Sequence, residues 1–289
     1  MTSGSAFARL RWPGMAQAGV VSAVAYDNLE PVPRWHRGMP SSWLTLIVTV
    51  GEPIRLHGSA PGVGASWPAT PAAALPSCLA GLHDRATAVR MQGSQRGVQL
   101  ALHPLAAPRL LGLPAAELTG AGFGVEDVLG PAPAQLRARL ADGCDVGELT
   151  ATVQGLCTTA DRGEVPQGRA EVAHAWREVQ RSGGRIRVDR LAQQVGLSTR
   201  QLRTLMRREL GVGPKTACRL ARLDAATHRI VGGIDRTLAD TALASGYADH
   251  AHLDAEFTAM VGCSPSAWLA EERPNIDGGG HRNGPDSRR

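Results

Sequence analysis

Two stretches in the C-terminal third of the chain repeat one pattern, and that repetition constrains the fold more than any other feature. The first reads LAQQVGLSTRQLRTLMRRELGVGP (191–214) and the second TALASGYADHAHLDAEFTAMVGCSP (241–265). Ala192 answers to Ala242 and Gly196 to Gly246 at an offset of 50. Leu202 answers to Leu253, Met206 to Phe257, Gly211 to Gly262 and Pro214 to Pro265 at an offset of 51, so the second turn holds one extra residue. Each copy spells a helix, a glycine turn, a second helix, a glycine stop and a proline start.

The residue types suit two helices that cross closely. An alanine inside the first helix lets the second approach, and a glycine at the turn accepts positive φ. Ser198 is placed to cap the next helix, and Gln201 three residues on completes a capping box. Asp249 takes the capping place in the second copy. Over 199–210, Leu202, Leu205, Met206 and Leu210 share one face, while Arg200, Arg203, Thr204, Arg207 and Arg208 share the other. At ~1.5 Å per residue such a helix is about 18 Å long, enough to lie in a DNA major groove. Arginines there can bond guanine O6 and N7 bidentately, and outer ones can hold phosphates. One such helix alone is most simply an amphipathic helix with a solvated basic face. The doubling, the caps and the charge distribution point instead to paired helix-turn-helix motifs with double-stranded DNA as partner.

The net charge of +5 is concentrated. Residues 169–268 hold 15 basic and 10 acidic residues, whereas 1–168 (12 and 12) and 269–289 (four and four) balance. Within the basic block, 187–222 carries +7 and 236–261 carries −3. An acidic second motif meets phosphate repulsion. The first motif is therefore expected to supply most of the affinity. The second is expected to be a structural partner, a weak reader through His250 or Asp254, or a polymerase-facing surface. Lys215 is the only lysine, so the arginine surplus by itself is compositional.

Other classes are disfavoured. The five cysteines, Cys78, Cys144, Cys157, Cys218 and Cys263, include no CxxC pair, against a disulfide framework or a zinc cage. No apolar stretch approaches the ~20 residues of a membrane span, and no signal peptide is evident, so a cytoplasmic protein is expected. No nucleophile elbow, P-loop or paired-carboxylate motif appears, so neither enzymatic activity nor a cofactor is expected. His36, His57, His83 and His103 stand alone, and His250 and His252 point apart on a helix, so no metal site is expected. Cys157 reads as an inert buried thiol rather than a redox switch.

The first half reads as a small β structure followed by short helices. Strands are expected at 43–50, 86–91 and 97–103, the last two separated by a turn at 93–97. Residues 1–30 are weakly patterned and expected to be partly disordered, and the Pro/Ala/Gly-rich 58–76 reads as loop. Helices are expected at 105–112, 114–118, 131–141 and 146–157, then another with Val172, Ala175, Trp176 and Val179 on one face. The organisation is thus an α+β domain (1–157), a linker (158–168), an all-α domain (169–272) and a disordered tail (273–289). Trp35, Trp43 and Trp67 are candidates for an effector pocket or for plain core.

The segments VDRLAQQVGLSTRQLRTLMRRELGVGPK and LADTALASGYADHAHLDAEFTAMVGCSPSAW resemble the DNA-binding domain of the AraC/XylS family of bacterial transcription regulators, over about 169–268. The resemblance implies seven helices, with 214–232 joining the two motifs. It also implies two recognition helices in successive major grooves, ~34 Å apart. Carried over by position, the first reader holds Arg200, Arg203, Thr204 and Arg207, with Ser198, Gln201 and Arg208 around them. The second holds His250, Ala251, Asp254, Ala255 and Thr258. The family usually keeps an arginine at the place of Ala255, which is a departure here. GVQLALHPLAAPRLLGLPAAELTG, with VEDVLG and AQLRARL, resembles an N-terminal domain of uncharacterised function that precedes such domains in actinobacterial regulators. That implies a cupin-like β fold that binds an effector or dimerises. Together these imply a sequence-specific, effector-responsive regulator, with a small-molecule effector, RNA polymerase and a second copy as further partners. An architectural DNA binder and a DNA-binding module fused to an enzyme are the alternatives. The scattered cysteines of 1–157 argue against a repair methyltransferase.

Overall fold

The computed structural model describes residues 6–62, 65–69, 73–119, 122–160 and 169–277. The N-terminal half builds one antiparallel sheet from β1 (Ala6–Arg9), β2 (Val20–Gly38), β3 (Leu44–Gly51), β4 (Ile54–Ser59), β5 (Ala73–Leu75), β6 (Ser77–Ala80) and β7 (Thr87–Leu102). The main path runs β1-β2-β7-β3-β6, and β4 pairs with both β7 and β5. Strand β7 is the spine. One edge pairs with β2 from Val20↔Leu102 to Gly38↔Thr87. The other edge is shared: β3 takes Gln95–Leu102 and β4 takes the stretch around Val89 and Arg90. Gly51, at φ 89°, ends β3 where the chain turns off toward β4.

Three expectations need correction here. The segment 1–30, expected to be partly disordered, holds β1 and more than half of the 19-residue β2. Its period is broken by Pro31 and Pro33, which cannot donate to a ladder, and the β2–β7 register shifts between Glu30 and Arg34. The two strands expected at 86–91 and 97–103 are one, because Gly93 and Gly97 do not form a hairpin turn. Gly97 marks a close approach: a Cβ there would lie 2.5 Å from the Tyr26 hydroxyl and 2.6 Å from the Val48 carbonyl. The loop expected over 58–76 contains the end of β4 and all of β5.

Alternation sends Leu44, Leu46 and Val48 of β3 and Val98, Leu100 and Leu102 of β7 into the core, each at most 3% exposed. They are covered by two 3-10 turns (Pro104–Ala106 and Ala115–Leu118) and by α1 (Ala107–Leu111), α2 (Val125–Leu129), α3 (Ala132–Asp142) and α4 (Val146–Ala160). Leu110, Leu111, Leu118, Leu136, Leu140 and Val153 form the helical side of that core. Burying each such side chain contributes roughly 1.5–3 kcal/mol. Helix α4 runs to Ala160, across the expected linker start at 158. Residues 161–168, the rest of that linker, lie outside the described residues.

The C-terminal part holds seven helices among the described residues: α5 (Ala170–Arg181), α6 (Val188–Gln194), α7 (Thr199–Leu210), α8 (Pro214–Gly232), α9 (Leu238–Ala244), α10 (His250–Val261) and α11 (Pro265–Asp277). The expected stripe on α5 is fully buried, with Val172, Ala175, Trp176 and Val179 at 0% exposure. Ala192 and Ala242 sit at the α6–α7 and α9–α10 crossings, 1% and 0% exposed. The turn glycines Gly196 and Gly246 have φ of 68° and 85°, as the repeat requires. Helix α11 extends to Asp277, so the first residues of the expected tail at 273 are helical. The remainder, from 278, lies outside the described residues.

The two halves are joined by specific contacts. Ser42 N–H donates to Asp224 of α8 (2.9 Å), Arg219 of α8 pairs with Asp84 (3.6 Å), and Ala86 N–H donates to the Met260 carbonyl (2.7 Å). Burial pushes the Asp224 carboxyl up to about 7, against the lowering effect of Ser42. A raised folded-state pKa means that the folded chain binds the extra proton. Its stability therefore falls as pH rises from about 4 to about 7. Asp224→Asn keeps an acceptor for Ser42. It is expected to flatten that dependence and to be more stable than wild type at pH 8 by on the order of 2 kcal/mol. Urea denaturation at pH 5 and pH 8 checks this; equal slopes for both proteins refute it.

Candidate nucleic-acid interface

Helix α7 begins as the sequence requires. Ser198 Oγ accepts from Gln201 N–H (3.2 Å), and Gln201 Oε1 accepts from Ser198 N–H (3.0 Å), closing the capping box. Replacing such a cap costs about 1 kcal/mol. Leu202, Met206 and Leu210 anchor the inner face at 0–1% exposure, while Leu205 is half-buried. Arg200, Arg203, Thr204, Arg207 and Arg208 are all exposed on the outer face. The structure thus brings the first group of candidate residues onto one open surface. Ser198 and Gln201 spend their polar groups on each other, and Thr204 Oγ donates to the Arg200 carbonyl (3.0 Å). The arginines are what the surface offers.

These arginines differ electrostatically from those that hold the scaffold. Arg219, Arg222 and Arg229 each pair with a carboxylate, and on the surface Arg181 and Arg187 pair with near neighbours in sequence. Among the described residues, Arg200, Arg203, Arg207 and Arg208 pair with none. Four unneutralised guanidinium groups on one helix make a concentrated positive field.

The second copy presents a different face. Asp249 caps α10 by accepting from His252 N–H (2.8 Å). His250, Ala251, Ala255 and Thr258 are exposed and Asp254 is half-exposed, with His250 Nε2 3.6 Å from Asp254 Oδ1. His252 Nδ1 accepts from Ala248 N–H (3.2 Å), and its ring meets Tyr247 edge-on. The −3 count over 236–261 overstates the repulsion DNA would meet. Glu256 turns inward, bridged by Arg219 (3.0 Å) and Arg222 (2.8 Å) of α8. Asp240 is tied into the Thr237 cap, and Asp249 into its own. Asp254 is the carboxylate left on the recognition face. Sequence reasoning missed the inward role of Glu256; its i−3 spacing from Leu253 and i+1 spacing to Phe257 left its direction ambiguous.

The remaining candidates are placed elsewhere. Trp35 and Trp67 stack at 4.8 Å and 7°, while Trp43 sits apart against His103. A cavity of about 270 Å³ lies between the β1–β2 loop, α1 and α4, lined by Trp12, Gln17, Arg109, Gln154, Cys157 and Thr158. None of the three expected tryptophans reaches it. Burial pushes the Cys157 thiol up to about 11. No cluster of three or more His, Cys, Asp or Glu suited to a metal ion occurs among the described residues. No helix among them is long and apolar enough to cross a membrane.

Residues 191–271 match the family model described as a helix-turn-helix domain. This part of the chain is a helix-turn-helix domain. No curated protein matches the sequence. Among solved structures, a probable AraC family transcriptional regulator from Rhodopseudomonas palustris aligns at 23% identity over 35% of this chain and 96% of its own, with a TM-score of 0.32. ToxT from Vibrio cholerae aligns at 9% identity over 93% of this chain and 98% of its own, with a TM-score of 0.49. The AraC-like transcriptional activator CuxR aligns at 13% identity over 77% and 94%, with a TM-score of 0.27. In the helix-turn-helix domain, α6–α7 and α9–α10 are the two motifs, and α8 joins them.

Proposed function

We propose that the chain regulates transcription by reading duplex DNA sequence-specifically, chiefly with α7, and that the N-terminal half makes this responsive to a small molecule. The observation that carries the reading is the open face of α7, where four arginines lack carboxylate partners while the scaffold arginines of the same domain are paired. On this reading Arg200 and Arg203 contact base edges, and Arg207 and Arg208 hold phosphates. Helix α10 offers small side chains, His250 and Asp254, and reads weakly. The DNA-binding domain spans 169–272 with the rest of α11 appended, and the regulatory half precedes residue 161.

The test is selection of duplexes from a random pool by the full-length chain, followed by sequencing. A defined motif is expected. Enrichment limited to salt-sensitive general binding refutes sequence-specific readout by the chain alone: readout then depends on an effector or partner, or the chain is architectural.

A further inference from the structure

Both recognition helices end at a left-handed glycine, and the N-terminal half occupies the space beside each one. At Gly211 (φ 79°), Thr119 Oγ and the backbone of Ala116 fill the place a Cβ would need. At Gly262 (φ 90°), the Pro61 carbonyl lies 2.5 Å and the Arg37 guanidinium 2.9 Å from that place. The two gripping elements come from separate regions, one from the end of the second 3-10 turn and the other from β2 and the chain after β4.

Arg37 makes the second grip. Its side chain is 4% exposed, and its Nη1 donates to the Pro61 (2.9 Å) and Val261 (3.0 Å) carbonyls. The second bond caps the last turn of α10, at the negative end of the helix dipole. Its Nε and Nη2 bind the two carboxylate oxygens of Glu271 at 2.7 and 3.3 Å. Its backbone N–H donates to Glu272 Oε1 (2.9 Å), and His36 Nδ1 lies 2.8 Å from Glu272 Oε2. Arg37 also closes a four-layer stack. Its guanidinium lies 4.7 Å from the Trp67 ring, Trp67 stacks on Trp35, and Arg90 of β7 lies 4.9 Å from Trp35.

We propose that the N-terminal half is a brace across the C-terminal ends of α7 and α10, and that Arg37, seated on the tryptophan stack, fixes the separation of the two recognition helices. The inference rests on the reading of α7 and α10 as recognition helices. Its test uses no DNA, so failure of that reading shows in the duplex selection and failure of the brace shows here.

The measurement is a spin-label distance between Arg208→Cys and Thr258→Cys, both exposed, in the full chain with the half-exposed Cys144 changed to serine. The other four cysteines are buried. A narrow distance distribution is expected for the otherwise wild-type chain, and at least a doubled width with Arg37→Gln. If Arg37→Gln loses its cooperative melt, Glu271→Gln serves instead. Glu271 is 42% exposed, and its replacement removes only the carboxylate partner of Arg37. Hydrogen exchange over 260–272 reports whether the grip has been released. Faster exchange there with an unchanged distance distribution overturns the proposal.

Discussion

Replacing Arg200 and Arg203 together with alanine is expected to lower affinity for the selected duplex by about 100-fold or more, since each bidentate guanine contact is worth roughly 1–3 kcal/mol. Asp254→Ala is expected to change it by less than about threefold, because that residue is half-exposed and faces its own neighbour His250. The contrast follows from partners. Arg200 and Arg203 are exposed with no carboxylate beside them, so no intramolecular pair must break before they meet DNA. Arg207→Ala with Arg208→Ala is expected to act differently. It should weaken binding about equally across sequences and flatten the salt dependence by roughly two units of slope. Fluorescence anisotropy against the selected and a scrambled duplex, across a salt series, separates these cases. Equal losses for Arg200→Ala and Asp254→Ala would refute the asymmetry between the motifs. A stability change beyond about 0.5 kcal/mol in the arginine variants would mean that they do more than read, since exposed substitutions ordinarily stay within that range.

The helical half was legible because local chemistry and global fold agree there. Caps, turn glycines and a 3.6-residue stripe all lie within short windows, and Ser198, Gly196 and Trp176 do what their types predict. The sheet was legible at β3, an apolar and β-branched run, and in part at β7, whose two ends were expected as separate strands. Strand β2 was hidden because its pairing is non-local: Trp35 meets Arg90, and Arg37 answers to Ala88, across some fifty residues of chain. Nothing in the period of 20–38 announces that partner, and two prolines interrupt it. The site was half legible. Sequence periodicity placed the α7 arginines outward, but charge counting treated Glu256 as a groove-facing carboxylate. The counting failed because the neutralising Arg219 and Arg222 stand more than thirty residues away. Arg37 was invisible for the same reason. An arginine in a weakly patterned segment gives no sign that it reaches α10 and α11.

Trp268→Ala is expected to cost about 3–5 kcal/mol, a large part of the roughly 5–15 kcal/mol that holds an ordinary domain. The indole is 0% exposed and lies 5.7 Å from the Phe257 ring at 60°, so its loss leaves a cavity between α10 and α11 that neighbours cannot fill. Trp268→Phe retains most of the volume and is expected to cost less than half as much. Urea denaturation measures both; a loss below about 1 kcal/mol for alanine would refute the packing role. The consequence should be uneven. The inner face of α7 rests on Leu202, Met206 and Leu210 and on its own capping box, whereas Trp268 packs against Phe257 of α10. Exchange of backbone amides over 238–277 should therefore quicken while 199–210 stays protected. DNA affinity should then fall far less than with the Arg200/Arg203 pair, although the stability loss is much greater. Such an inversion of effects is what a domain with one reading motif and one supporting motif would show. If Trp268→Ala, while α7 remains protected, abolishes binding as fully as the arginine pair does, α10 takes a direct share in holding DNA.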